Sequence, residues 1–160
     1  MGDDPDRNGD ENVKERVDRE LGELLDEVRV AIPGAEVLFA FLLGVAFTER
    51  FTELTSLQRG IYFATLLMVA GGIALLVAPT AYHRINFRDG GKQELLYSAT
   101  RMVLASLVLL LLSVTGVVFL VADLLYGTAE AAISAAVVAA WFVWFWFAFP
   151  ILRRPAAATR

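Results

Sequence analysis

One acidic side chain stands inside an apolar run. In "RVAIPGAEVLFAFLLGVAF", residues 29–47, Glu36 is the only ionisable group between Arg29 and Glu49. A charged side chain at the centre of a spanning helix costs roughly 2.5–3.5 kcal/mol on insertion scales, so such a group is normally covered by protein or water. Three chemistries suit it. It could be a structural carboxyl tied to Arg101, a tyrosine or water. It could handle a proton or an ion in an inward-facing cavity. It could face the axis of an oligomer and line a pore, where a ring of carboxylates favours cations.

The residues that could meet Glu36 are Arg101, His83, Arg84 and Tyr82, with Tyr97 and Arg29 behind them. Arg29 is ~10 Å away along a continuous helix, two turns distant, so a direct bond is not expected. No second acid lies inside an apolar run, which weakens any multi-step proton relay. His83 is the only histidine and cysteine is absent, so no metal site is expected. "GGK" at 90–92 is not a phosphate loop: Asn86 stands where the first glycine belongs, and Gln93 replaces the hydroxyl residue. No nucleophile–base pair is evident. The expectation is a protein that is not an enzyme and takes no cofactor.

The elements that must position Glu36 follow from hydropathy. The apolar fraction is 57%, above the ~45–50% of soluble domains, and it is concentrated in four blocks. They cover about 30–47, 61–79, 102–122 and 131–152. Each matches the ~20 residues a helix needs to cross ~30 Å of hydrocarbon, and none alternates as a barrel strand would. The expected fold is all-α: a four-transmembrane-helix bundle preceded by a cytoplasmic amphipathic helix.

Residues 1–11 are acidic and read as a disordered tail. From 12 to 29 apolar residues recur at helical spacing, through Val17, Leu21, Leu24 and Val28. That helix could lie on the headgroups or form a short seam for self-association. Pro33 and Gly34 are the expected helix break, since proline gives up a helical hydrogen bond and disfavours helix before it. In the second block Ala70, Ala74 and Ala78, with Gly71–Gly72, predict close helix contact. Ser106 and Ser113 in the third block read as packing contacts. The aromatic run "WFVWFWFAFP" ahead of Arg153–Arg154 reads as an interfacial belt.

Of the 14 basic residues, 12 fall in the N-terminal segment, the 80–101 loop and the C-terminal tail at 153–160. Only Arg50 and Arg59 lie on the other side. This predicts both termini in the cytoplasm. The net charge of −4 comes from the N-terminal 29 residues, and nothing suggests nucleic-acid binding.

Three stretches, "ELLDEVRVAIPGAEVLFAFLL" (23–43), "RFTELTSLQRGIYF" (50–63) and "APTAYHRINFR" (78–88), carry a resemblance. Together they resemble a family of small, largely actinobacterial membrane proteins registered as a domain of unknown function. The resemblance covers about residues 20–127. It implies a four-helix membrane protein without established activity. It also implies that glutamine often stands where this chain has Glu36, which points to a requirement for polarity and not for charge.

The leading expectation is a multi-pass protein of the plasma membrane, acting in membrane assembly or interaction. Its expected partners are the lipid bilayer, further copies of itself and a cytoplasmic protein. The alternative is a small oligomeric monovalent-cation or proton transporter or channel using Glu36.

Overall fold

The computed structural model describes residues 5–85 and 92–153. All of the described elements are helical. They are α1 (Pro5–Val45), α2 (Ser56–Ile85), α3 (Lys92–Leu125), α4 (Thr128–Val143) and α5 (Phe149–Leu152). A 3₁₀ turn, Glu49–Glu53, links α1 to α2, and a π-helical turn, Trp144–Ala148, links α4 to α5. Four stretches are long and apolar enough to cross a membrane: Arg19–Val45, Ser56–Ala81, Leu96–Leu125 and Thr128–Leu152. Each is longer than the corresponding hydropathy block, because the helices continue past the apolar residues at their ends.

Two expectations for the N-terminal third are corrected. The helix begins at Pro5, inside the tail expected to be disordered. Proline suits a first helical position, where its missing N–H costs nothing. The helix also runs through Pro33 and Gly34 without a break. Pro33 withholds one hydrogen bond from the Arg29 carbonyl, but Arg29, Pro33 and Gly34 all lie on the exposed side. On the other side Ile32 and Ala35, flanking the proline, both pack into one apolar cluster. That packing holds the two halves in line.

The buried side of α1 is spaced in sevens: Leu21, Val28, Ala35 and Leu42. A seven-residue repeat keeps one face against its neighbours. Those neighbours are α2 and α3 of the same chain. Val28 and Ala35 meet Leu76 and Leu110, and Leu42 meets Tyr62, Val69 and Leu120. The seam read from the amphipathic segment is therefore the start of an intramolecular one that continues through the first span.

Helices α2 and α3 form the tightest pair. The α-carbon of Gly116 lies so close to Thr65 that an added Cβ would stand 2.4 Å from the threonine hydroxyl oxygen. Added Cβ atoms at Gly71 and Gly72 would lie 3.3 Å from Leu109 and 3.4 Å from Leu110. The glycines, not the alanine row, make the close approach; Ala74 is exposed. Thr65, Ser106 and Ser113 are fully buried in this region. Their hydroxyls donate to the carbonyls of Ile61, Val103 and Leu109 at 2.7–2.8 Å, so no buried donor is left unmade.

Helix α4 packs on α3 through Ala131 and Ala135, while Ala132, Ala136 and Ala140 are exposed. Its end widens into the π turn four residues ahead of the Pro150 ring, which deprives the Trp146 carbonyl of an ordinary partner. Phe142 and Trp146 stack edge to face at 4.7 Å, and Arg153 lies 4.6 Å over Phe149.

The Gly116–Thr65 contact generates a prediction. Gly116→Ala should lower stability in detergent by about 1–3 kcal/mol, the cost of overpacking a filled core. Adding Thr65→Ala, which removes the clashing oxygen, should recover much of that loss, giving strong coupling in a double-mutant cycle of thermal melts. Simple additivity would show that the two backbones are not in close contact.

Candidate functional site

Glu36 projects from the exposed side of α1, one position beyond the buried Ala35. It lies ~14 Å along the helix axis from the end of α1 at Val45. It lies ~9 Å along the axis from Val30, where the apolar block begins. Ala40 and Gly44 follow it at four-residue spacing, and Pro33 precedes it on the same face. An added Cβ at Gly44 would meet nothing within 4 Å. The exposed side around Glu36 is mixed: Pro33, Ala40 and Gly44 are small, while Val37, Phe41 and Leu43 are large and exposed.

The residues expected around Glu36 are not gathered there. Among the described residues no ion pair or hydrogen bond joins Glu36 to Arg101. Arg101 is exposed and rests 5.7 Å over the ring of Tyr97, four residues earlier on α3. It lies ~13 Å along α3 from Leu110, the residue that shares a cluster with Ala35. Arg29 pairs with Asp26 at 3.4 Å. The backbones of Tyr82, His83 and Arg84 belong to α2, and their side chains lie outside the described residues. Glu36 also lines neither the groove of Ser98, Arg101 and Met102 nor the cleft between Trp141 and Trp146. No group of three or more potential metal ligands occurs among the described residues.

A polar cluster lies at the far end of the bundle, where α1 stops. Thr55 and Gln58 cap α2 reciprocally: the Thr55 N–H donates to Gln58 Oε1 at 2.9 Å, and the Gln58 N–H donates to Thr55 Oγ1 at 3.2 Å. The Gln58 side-chain amide also donates to Asp123 Oδ2 at 2.7 Å. Asp123 Oδ1 accepts from the Thr128 hydroxyl at 2.8 Å. One carboxylate therefore ties the start of α2 and the start of α4 to the end of α3. Between α3 and α4 the turn passes through Gly127 at φ +116°, which a side chain would strain. Tyr62 donates to the Leu42 carbonyl, one of the last four of α1, which the helix itself cannot satisfy.

Sequence reasoning missed this cluster. The signal was present: Thr-x-x-Gln at 55–58 is a capping-box pattern. The Gln58–Asp123 bond had no such signal, because 65 residues separate the partners. The profile of the Family of unknown function (DUF6328) matches residues 10–150. No curated protein and no solved structure matches the chain.

The cluster predicts a local effect. Asp123→Ala should speed amide exchange at the α3–α4 turn and at the first turn of α2, while leaving Val69 in the core protected. Gln58→Ala in the same chain should add little to the effect at the α3–α4 turn, since Asp123 is already gone. Hydrogen exchange read by mass spectrometry checks both; unchanged rates at the turn would show that the carboxylate does not hold it.

Proposed function

We propose that this chain, which belongs to the DUF6328 family of unknown function, is a multi-pass membrane protein that works by assembly and not by catalysis. The observation that carries this reading is Glu36, a carboxyl exposed within an apolar stretch of α1. Leaving a carboxylate against lipid is costly. A second copy inserted in the same direction brings a second Glu36 to the same depth, where a carboxyl that carries its proton can donate to its counterpart. Pro33, Ala40 and Gly44 leave room for the helices to approach, as small residues do in membrane helix pairs.

The charge asymmetry of the loops supports a plasma-membrane protein with both termini in the cytoplasm. There the charged N-terminal half of α1 offers a surface for a cytoplasmic protein partner. Resemblance to small bacterial membrane proteins fits the same reading.

A second reading rests on the same carboxyl. In an oligomer, a ring of Glu36 side chains would favour monovalent cations or protons, and the chain would be a small transporter or channel. A single bundle does not suffice for it, because Glu36 lies on the bundle's exterior.

Two measurements test these readings. Stepwise photobleaching of the labelled chain in dilute vesicles should count more than one copy per particle. Gly44→Phe, which obstructs the face, should weaken association by roughly tenfold or more, equivalent to ~1.4 kcal/mol. Glu36→Gln, which keeps the hydrogen bond, should preserve it. Single copies of the wild-type chain at all densities would overturn the assembly reading. Flux of Na⁺, K⁺ and H⁺ into liposomes, compared between the wild-type chain and Glu36→Gln, tests the second: equal background flux in both removes it.

A further inference from the structure

At the end of the bundle where α1 stops, a cavity of about 170 Å³ lies beneath the 3₁₀ turn. Its floor is apolar and buried: Leu42, Tyr62 and Leu120. Phe51, edge to face with Tyr62 at 4.9 Å, roofs it. Val45 of α1 and Val121 of α3 also line it and are exposed, on the flank that would face lipid. Walls so largely apolar suit several methylenes of a chain entering sideways.

The rim is different. Arg50, in the 3₁₀ turn beyond the end of α1, lines the cavity and is exposed. It forms no ion pair among the described residues. Glu49 and Glu53 share the turn but do not line the cavity. A guanidinium at the level where hydrocarbon gives way to water matches a phosphate bidentately. We propose that this cavity is a phospholipid subsite, with a segment of acyl chain over Tyr62 and Leu120 and the phosphate on Arg50. It lies at the end of α1, away from the Glu36 face, and stands or falls independently of assembly.

The test uses the full chain, delipidated in detergent and titrated in native mass spectrometry. The probes are a phosphatidylethanolamine and a diacylglycerol with the same chains. The wild-type chain should retain the phospholipid roughly tenfold more strongly, the worth of one hydrogen-bonded charge contact. Arg50→Ala, a change at an exposed side chain, should reduce the phospholipid to the level of the diacylglycerol. Val117→Phe, which fills the cavity, should weaken both, with a thermal melt confirming that the variant is folded. Equal retention of the two probes by the wild-type chain, or no effect of Arg50→Ala, would overturn the proposal. So would efficient copy-to-copy disulfide formation by Thr48→Cys in membranes, which would place a second chain at the cavity.

Discussion

The missing side chain at Gly116 sets how near α3 comes to α2, and the rest of the bundle is arranged on that pair. With the Thr65 hydroxyl seated where a Cβ would be, the two helices meet nearly backbone to backbone. For helices that lie in lipid there is little hydrophobic force to gain, so close van der Waals contact would have to supply the association. Gly71 and Gly72 extend the contact by admitting Leu109 and Leu110. Helix α1 then lays its seven-residue seam against the pair, and α4 rests on α3 through Ala131 and Ala135. Dispersion contacts of this kind are individually small and add up only where surfaces are complementary, which is why small residues recur at the contacts with α2 and α4.

The polar atoms obey a second constraint. In an apolar layer a hydroxyl or carbonyl without a partner is expensive. The buried hydroxyls of Thr65, Ser106 and Ser113 return to their own helix backbone, so they fill space without demanding a partner across the interface. At the end of α1 the Leu42 carbonyl accepts from the Tyr62 hydroxyl, and the Val45 carbonyl accepts from both the N–H and the hydroxyl of Thr48. At the starts of α2 and α4, Asp123 serves both through Gln58 and Thr128. The helices thus end on specific side chains instead of fraying, and the same ends build the walls and rim of the Arg50 cavity.

Much of this architecture was legible in the sequence. Hydropathy alone located the four candidate spans, because a helix needs about 20 apolar residues to cross the hydrocarbon and the chain has four such runs. Local rules failed where tertiary packing outweighed them. Pro33 reads as a break, yet Ile32 and Ala35 on either side of it share one cluster and keep α1 continuous. The small residues of α2, Ala70, Ala74 and Ala78 with Gly71–Gly72, read together as its contact face; of these it is Gly71 and Gly72 that admit the α3 leucines, while Ala74 is exposed. Glu36 was singled out correctly as anomalous, but which way it faces depends on where the seam of α1 falls. The residues Leu21, Val28, Ala35 and Leu42 fix that seam, and they leave the carboxyl outside it.

Glu36 and Pro33 belong to one argument. Both lie on the exposed side of α1, one turn apart. Pro33 cannot donate to the Arg29 carbonyl, so that oxygen lacks its ordinary helical partner, while the Arg29 side chain pairs with Asp26 at 3.4 Å and not with Glu36. The bundle leaves no buried polar side chain unsatisfied among the described residues, yet it holds the Glu36 carboxyl on its outside. A chain that satisfies its polar side chains inside, and exposes a carboxyl within an apolar stretch outside, fits the proposal that another copy covers that side. Pro33, Ala40 and Gly44 would leave space beside the carboxyl for such a contact, and the interior of a single bundle would then serve to hold the contact face in place.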